Sequence, residues 1–264
     1  MGVVRLLGQH IAYSASPAMQ AAAFRALGLA HEYELADVAA DALPAAVAGL
    51  RNADSLGANV TVPHKHAVLD LVDEVDTLAG RAGAVNTIAV RDGRLRGSNT
   101  DVPALIDEIG LLRPSPRRAI VLGAGGAAHA VRLALEMMGA HEIVLVSRSA
   151  TGGSVGWQEL GDLVPVAELL INATPVGTGS EESPVPATLL HPRLAVLDLV
   201  YRPSPTRLVR EARACGAIAR AGAGVLLGQG WRSLEAWLGA PATAEVRGAM
   251  ARALRDELGP VADV

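Results

Sequence analysis

Short apolar runs alternate with longer amphipathic segments along most of the chain, which indicates strands separated by helices. In the first hundred residues, strands are predicted over VVRLLG (3–8), EYELADV (32–38), GANVTV (57–62), AVNTIAV (84–90) and RLRG (94–97). Asp92-Gly93 separates the last two runs and is typical of a two-residue hairpin turn. Strands joined through helices favour parallel sheets with both faces covered, so the pattern predicts an α/β fold.

Helices fill the intervals between these strands. Ser16-Pro17 is a strong helix start, with Ser16 as the N-cap and Pro17 in the first turn, and Gly28 ends that helix. Further helices are predicted near 41–51, from HKHAVLDLVDEV (64–75) onward, and over DVPALIDEIG (101–110).

A polar, proline-containing break, LRPSPRR (112–118), follows and is the best candidate for a domain boundary from the pattern alone. Strand and helix patterns then alternate again over AIVLG, AAHAVRLALEMMG, EIVLVS, LLINATP, AVLDLVY and AIARAG. From Val225 onward the pattern predicts helices only. The second half is therefore expected to build another sheet of parallel strands.

Composition limits the possible functions. Hydrophobic residues make up 50% and charged residues 19%, which suits a large core, and the net charge of −4 offers no electrostatic case for nucleic acid or an acidic membrane. Cys215 is the single cysteine, which excludes an internal disulfide and a cysteine-based zinc site. The chain lacks a signal-peptide pattern and any apolar run long enough to span a bilayer, so we expect a cytoplasmic protein.

A glycine-rich turn predicts a dinucleotide site. In IVLGAGGAAHAV (120–131), Gly123, Gly125 and Ala128 fit G-x-G-x-x-[G/A] between a strand and a helix, in a strand–helix–strand context. Such a turn brings phosphates onto the free N–H groups of the helix N-terminus. A second cluster, AGAGV (221–225), lacks a small third residue and is interpreted as a turn.

The end of the next strand favours NADP over NAD. NAD sites usually place a carboxylate there to accept from the ribose 2′-hydroxyl, but this chain has Ser147-Arg148-Ser149. The Arg148 guanidinium can pair with a 2′-phosphate, and the alternative is a solvated surface arginine.

Lys65 is the only lysine in the chain, within NVTVPHKHAV (59–68). Arginine does not exchange a proton near neutrality, whereas a lysine can act as an acid or base. The alternative is that a single lysine in an arginine-rich composition has no functional significance. Metal binding by His64 and His66 is not favoured, because imidazole side chains two positions apart point in different directions at a helix start and no third ligand cluster is near. Both histidines are therefore expected at a polar helix edge. Asn59 and Thr61 lie on one face of the strand before Lys65, which favours a polar site at its end.

Eight motifs occur in an order that resembles the shikimate dehydrogenase family over nearly the whole chain. They are Ser14-x-Ser16-Pro17, NVTVPHK (59–65), GAVNT (83–87), NTD (99–101), GAGGAA (123–128), INATPVG (171–177), DLVYRP (198–203) and GVLLGQG (224–230). The resemblance implies two α/β domains: a substrate-binding domain of residues 1–101, completed by C-terminal helices in 231–264, and a Rossmann-like NADP-binding domain of residues 102–230.

The resemblance also implies roles for individual residues. Lys65 and Asp101 would form the catalytic pair. The substrate would contact Ser14, Ser16, Asn59, Thr61, Asn86, Tyr201 and Gln229. The cofactor would contact Gly123, Ala124, Gly125, Gly126, Ala127, Ser147, Arg148, Ser149, Asn172, Thr174 and Gly222. No metal is expected, and the protein is expected to be a monomer or homodimer.

Some positions depart from the family pattern. Tyr13, His10 and Gln20-Ala21 replace usual residues near the substrate, and Thr178 replaces a usual methionine near the nicotinamide. The segment between Arg148 and Asn172 is short, so the cofactor sheet should have one element fewer and the preference for NADP is weakened. The leading hypothesis is NADP-dependent reduction of 3-dehydroshikimate to shikimate. The alternatives are a quinate/shikimate or aminoshikimate dehydrogenase that could use NAD, and a non-catalytic metabolite-binding paralogue.

Overall fold

This computed structural model describes residues 1–150, 152–259 and 263–264. Most of the apolar runs form strands, and most of the amphipathic segments form helices. The strands are β1 Val3–Gly8, β2 Glu32–Asp37, β3 Ser55–Val60, β4 Glu74–Val75, β5 Thr87–Arg91, β6 Arg94–Ser98, β7 Arg118–Leu122, β8 Glu142–Val146, β9 Leu169–Asn172, β10 Ala195–Asp198 and β11 Ile218–Ala221. The helices are α1 Ser16–Ala26, α2 Leu43–Gly49, α3 Thr77–Ala82, α4 Asp101–Leu112, α5 Gly126–Met137, α6 Leu160–Leu163, α7 Arg207–Ala214, α8 Ala223–Leu238 and α9 Ala244–Leu258.

Two units can be separated along the chain. The first contains Met1–Asp101 and Leu227–Glu257, and the second contains Val102–Leu226 and Leu258–Val264. The polar break at 112–118 joins α4 to β7 inside the second unit, so it is not the boundary between them. Residues 260–262, which belong to the predicted C-terminal segment of the first domain, lie outside the described residues.

The first unit contains a six-stranded sheet in the order β2-β1-β3-β5-β6-β4. β1 pairs in parallel with β2 and β3, whereas β5 is antiparallel to both β3 and β6, so this sheet is mixed rather than parallel as the alternation predicted. The antiparallel pair of β5 and β6 follows from the hairpin at Asp92-Gly93, where both residues have positive φ, 50° and 73°. That turn type matches the twist of paired strands, and the predicted hairpin is confirmed.

The helix predicted from HKHAVLDLVDEV is wrong for most of that segment. Only a short 3₁₀ turn forms over Ala67–Asp70, followed by β4. The Asp73 and Asp76 amides donate to the carbonyls of Leu95 and Gly97 at 2.9 Å, and β4 runs parallel to β6. Pairing with the sheet edge therefore takes the backbone groups that a helix would have used.

The second unit contains a parallel five-stranded sheet in the order β11-β10-β9-β7-β8. Its central strands β7, β9 and β10 are largely buried, as expected where helices cover both faces, whereas the edge strands β8 and β11 are partly exposed. β8 lies at the sheet edge. The chain moves from β7 outward to β8 and then returns to β9 on the other side of β7. This reversal of direction opens a crevice at the carboxyl ends of β7 and β9, which is the usual ligand position in such sheets.

The α/β class, with two units and a Rossmann-like second sheet, is as predicted. No helix among the described residues combines the length and the apolar character needed to cross a bilayer.

Candidate functional site

Polar residues of the first unit converge at one edge of its sheet. β1 and β3 are parallel and end at this edge, and the loops that follow them carry Ser14 and Lys65. β5 is antiparallel to β3 and begins at the same edge, directly after Asn86. β6 ends there, three residues before Asp101. The mixed topology therefore collects side chains that are distant in sequence.

Lys65 and Asp101 form a direct ion pair at this edge. The Lys65 Nζ donates to Asp101 Oδ2 at 2.7 Å, and the two side chains are 20% and 16% exposed. The Lys65 carbonyl accepts from the Val85 amide at 2.8 Å, which holds the lysine backbone in place. Asp101 begins α4, where the helix dipole favours a carboxylate. An ammonium group is thus held in a partly shielded position from which it can exchange a proton with a ligand.

Asn86 holds the second oxygen of Asp101. Its Nδ2 donates to Asp101 Oδ1 and to Thr100 Oγ1, both at 2.8 Å, and its Oδ1 accepts from the Thr100 amide at 2.8 Å. The asparagine is 2% exposed. The two oxygens of the Asp101 carboxylate therefore have different, fixed donors, and the carboxylate is oriented toward Lys65 from a rigid base.

Asn59 belongs to a buried polar cluster behind this pair. Its Nδ2 lies 3.0 Å from Ser233 Oγ and 3.2 Å from Thr87 Oγ1, and its Oδ1 accepts from the Tyr33 hydroxyl at 2.9 Å. Ser233 Oγ also lies 2.7 Å from Thr87 Oγ1 and 3.2 Å from Thr100 Oγ1. This cluster joins α8 to β3 and β5 by hydrogen bonds among buried groups.

Ser14 and Ser16 lie at the start of α1. The Ser14 Oγ accepts from the Ser16 amide at 3.2 Å, whereas the N-cap position is Ala15 and has no side-chain bond. The prediction of Ser16 as N-cap is therefore wrong by one residue, and Ser14 supplies the acceptor. Ser14 is half-buried and Ser16 is buried. Backbone N–H groups and hydroxyls at a helix N-terminus suit an anionic group.

Gln229 and Thr61 are the other predicted substrate residues of the first unit. Gln229 is half-buried on α8, and its carbonyl accepts from Ser233 Oγ at 2.9 Å. Gln20, which departs from the family pattern, is fully buried and donates to the Gly230 carbonyl at 2.9 Å, so it fastens α1 to α8. Thr61 is half-buried, and its amide donates to the Leu7 carbonyl at 2.9 Å.

The histidines beside Lys65 have structural roles. The His64 ring is buried, with Nε2 2.7 Å from the Val38 carbonyl, and His66 Nδ1 lies 3.0 Å from the Gly83 carbonyl. The expectation of a polar helix edge is wrong for His64. No group of three or more His, Cys, Asp or Glu side chains suited to a metal is found among the described residues.

In the second unit, the glycine turn lies where β7 meets α5. Gly123 has φ +116°, and a Cβ there would lie 3.0 Å from the Ala173 carbonyl oxygen, so both conformation and space require glycine. Residues 124–126 are exposed, Ala127 is half-buried, and α5 begins at Gly126. Ala128 is fully buried, which lets α5 approach the sheet. The turn leads into the N-terminus of α5, where free backbone N–H groups can bind a phosphate.

The remaining predicted cofactor residues follow neighbouring strand ends. Ser147, Asn172 and Gly222 stand at or just after the ends of β8, β9 and β11, which are aligned by the strand register. A Cβ at Gly222 would overlap the Leu199 carbonyl, so this turn also requires glycine.

Their exposure differs. Arg148 and Ser149 are exposed, whereas Ser147 is buried, with its Oγ 2.7 Å from Ser154 Oγ. Thr174 is half-buried beside the fully buried Asn172. Tyr201, predicted to contact substrate, is half-buried in the loop after β10 of the second unit.

Two buried side chains connected to these residues were missed from the sequence. Ser233 follows Gln229 by one helical turn, and that spacing was the only available signal for it. Asp198 lies within the DLVYRP motif, where the sequence gives no signal for its role. Its carboxylate is 1% exposed and accepts from the Asn172 side chain at 2.8 Å.

Comparisons with known proteins point to one family. The family model described as the shikimate dehydrogenase substrate binding domain matches residues 6–88. A shikimate dehydrogenase (NADP(+)) of Methanopyrus kandleri is 40% identical over 269 residues, 92% of each chain.

Solved structures are similarly close. The shikimate 5-dehydrogenase of Thermus thermophilus, in complex with NADP(H) and shikimate, gives a TM-score of 0.87 at 36% identity and covers 98% of this chain and 100% of its own. The quinate dehydrogenase of Corynebacterium glutamicum, in complex with NAD, gives 0.85 at 27% identity, with 97% and 99% covered. With identity of this level over nearly the full length, the chain belongs to the shikimate dehydrogenase family.

Proposed function

We propose that this protein catalyses the NADP-dependent, reversible reduction of 3-dehydroshikimate to shikimate, a step of aromatic amino-acid biosynthesis. The observation that carries the proposal is the Lys65–Asp101 pair, 2.7 Å apart at the edge where the loops of β1 and β3 and the start of β5 converge. Reduction of a ketone requires a proton donor for the developing hydroxyl, and the only lysine of the chain stands there.

The residues around this pair suit a small polyhydroxylated acid. We propose that Ser14 and Ser16, with the N-terminus of α1, bind the carboxylate, and that Tyr201 lies beside it. Asn59, Thr61, Asn86, Asp101 and Gln229 are proposed to contact the ring hydroxyls. Asn59 already bonds to Tyr33, Thr87 and Ser233, so most of its hydrogen-bonding capacity serves the buried cluster. The half-buried Thr61 and Gln229 are better suited to direct contact.

The second unit fits a dinucleotide. The exposed turn over residues 124–126, the close approach of Gly123 to the Ala173 carbonyl and the start of α5 form a cradle that a Cβ at Gly123 would fill. We propose that Gly123, Ala124, Gly125, Gly126 and Ala127 hold the pyrophosphate. Ser147, Arg148 and Ser149 would lie at the adenosine end, and Asn172, Thr174 and Gly222 would line the crevice. The exposed Arg148 supports a 2′-phosphate and therefore NADP.

The mechanism divides the chemistry between cofactor and protein. When bound, the nicotinamide would supply the hydride for the ring carbon. Lys65 Nζ donates a proton to the ketone oxygen during reduction and accepts it from the hydroxyl in the reverse direction. Asp101 orients the ammonium group, and Asn86 holds the other carboxylate oxygen at 2.8 Å. The side chains of Lys65 and Asp101 are mostly shielded from water, which strengthens their interaction with a bound substrate.

An oxidation assay tests the proposal against its alternatives. Shikimate with NADP⁺ should produce NADPH absorbance at a higher kcat/KM than quinate with either cofactor or shikimate with NAD⁺. A preference for quinate with NAD⁺ would favour the related dehydrogenase, as in the similar protein of Corynebacterium glutamicum. Absence of turnover with both acids and both cofactors would support a binding protein without catalysis.

The working form of the enzyme is a separate part of the proposal. We propose that it acts in the cytoplasm as a monomer or homodimer. Sedimentation equilibrium at assay concentration distinguishes a mass near 27.1 kDa from twice that value. Fractionation of cells of the source organism tests the compartment.

A further inference from the structure

Asp198 is a buried carboxylate whose hydrogen-bond donors, within the described part of the chain, are all neutral. It ends β10 and is 1% exposed. Its Oδ1 accepts from Asn172 Nδ2 at 2.8 Å and from the Val200 amide at 3.1 Å, and its Oδ2 accepts from Thr206 Oγ1 at 2.7 Å. Burial raises the pKa of Asp198 to about 6, because these three neutral donors only partly replace the lost hydration. A buried charge of this kind costs folding free energy, so its presence calls for a role.

The bond to Asn172 determines which way that amide points. A carboxylate can only accept, so the Asn172 Nδ2 faces Asp198 and the Oδ1 faces the opposite side. On that side the Oδ1 accepts from the Thr174 amide at 3.0 Å and from Thr174 Oγ1 at 2.6 Å. Nδ2 also donates to the Val176 carbonyl at 3.2 Å, and the Val176 amide donates to Thr174 Oγ1 at 3.2 Å. Asn172 therefore sets the path of residues 173–176.

The bond to Thr206 has a different purpose. Thr206 is the N-cap of α7, and its Oγ1 accepts from the Val209 amide at 3.3 Å while its hydroxyl donates to Asp198. This part of the network fixes the start of a helix and does not contact residues 173–176. The two sides of the carboxylate can thus be separated by substitution: one leads to the loop after β9, and the other leads to α7.

We infer that Asp198 is a positioning residue for the cofactor, which fixes the Asn172 amide and thereby the loop of residues 173–176. The inference rests on the proposed function, because it assumes that Thr174 and the crevice beside it bind NADP. Asp198 is too buried to touch a ligand, and among its three hydrogen-bond partners Asn172 is the one that leads to residues 173–176. The crevice lies between β7 and β9, and Gly123 packs against the Ala173 carbonyl, so a displaced 173–176 loop would also disturb the phosphate turn.

A double-mutant cycle tests this coupling. NADP⁺ affinity is measured by isothermal titration calorimetry for the full-length chain and for Asp198→Ala, Asn172→Ala and the double variant. Each single change should weaken NADP⁺ binding about fivefold to thirtyfold, the effect of one or two lost hydrogen bonds. The double variant should bind NADP⁺ about as tightly as the single variant with the lower affinity, because both changes remove the same hydrogen bond between Asp198 and Asn172. Additive losses, or an Asp198→Ala protein with normal NADP⁺ affinity, would overturn the inference.

Two further variants separate positioning from general stability. Thr206→Val removes the α7 side of the network and should lower the melting temperature while keeping NADP⁺ affinity within about twofold of the parent. Asp198→Asn can keep an oxygen toward Asn172 and donate to Thr206, so it should retain most of the affinity. Equal losses of affinity in Thr206→Val and Asp198→Ala, or a full loss in Asp198→Asn, would contradict positioning by this hydrogen bond. Asp198→Ser, whose oxygen is one bond too short, replaces the alanine variant if that protein does not fold.

A measurement without cofactor keeps this inference distinct from the proposed function. Hydrogen exchange of the Thr174 amide, followed by NMR on the free protein, should accelerate in Asp198→Ala and remain slow in Thr206→Val. If the parent protein neither binds NADP⁺ nor oxidises shikimate, the proposed function fails, yet this exchange difference still reports the positioning. Unchanged Thr174 exchange in Asp198→Ala would refute the positioning itself.

Discussion

Replacement of Lys65 gives the sharpest test of the proposed chemistry. Lys65→Ala removes the ammonium that lies 2.7 Å from Asp101. A positioned general acid contributes about 10²- to 10⁴-fold to a rate, which corresponds to roughly 3–5 kcal/mol in the activation free energy. Asp101 would keep its bond from Asn86 and its place at the start of α4. We therefore expect kcat to fall by about two to four orders of magnitude, with a loss of unfolding free energy of only about 1 kcal/mol.

Lys65→Arg is the matched control for this change. It keeps a cation beside Asp101 but cannot exchange a proton near neutrality. Initial rates of NADPH formation from shikimate should be low for both variants, whereas NADP⁺ affinity, which we assign to the second unit, should stay within about twofold of the parent. A Lys65→Arg protein with a rate near that of the parent would show that charge alone suffices. A Lys65→Ala protein within about tenfold of the parent would refute proton donation by this lysine.

Other changes test the glycine turn, the buried cluster and the buried carboxylate. Gly123 has φ +116°, and a Cβ there would lie 3.0 Å from a carbonyl oxygen, so Gly123→Ala should weaken NADP⁺ binding in calorimetry and lower the melting temperature. The control Gly110→Ala on α4, where a Cβ meets open space, should raise the melting temperature slightly. Ser233→Ala should cost about 1–3 kcal/mol in urea unfolding, because it leaves buried partners unpaired, and a smaller loss would show that water replaces the hydroxyl. The pKa of Asp198 is raised to about 6 from 3.8, so the folded state binds the carboxyl proton more tightly than the unfolded state does. Protonation of Asp198 therefore contributes to the free energy of unfolding in full below about pH 4, and this contribution is lost as the pH rises through 6. In urea unfolding, the free energy of unfolding of Asp198→Asn relative to the parent should therefore increase by on the order of 2 kcal/mol from about pH 4.5 to about pH 7. A difference between variant and parent that is the same at both pH values would contradict this.

The parts of the fold that sequence predicted well are those with local causes. The Asp92-Gly93 hairpin formed as expected because both residues tolerate positive φ, which few residues do. The strand, turn and helix around Gly123 formed because apolar runs, glycine conformations and helix periodicity act within about a dozen residues. By contrast, the helix expected from HKHAVLDLVDEV was wrong, because β6 supplied carbonyl partners for Asp73 and Asp76 from about twenty residues away.

The candidate site shows the same division. The single lysine and the family motifs predict from the sequence alone that Lys65, Asn86 and Asp101 belong to the site. The sequence does not reveal that Asn86 and Lys65 bind opposite oxygens of Asp101, or that Ser233 lies 3.0 Å from Asn59 across 174 residues of chain. Side-chain identity and backbone preference are properties of neighbouring residues, so sequence determines the elements and the available chemistry. Hydrogen-bond partners and burial depend on which distant elements pack together, and only the tertiary structure decides them.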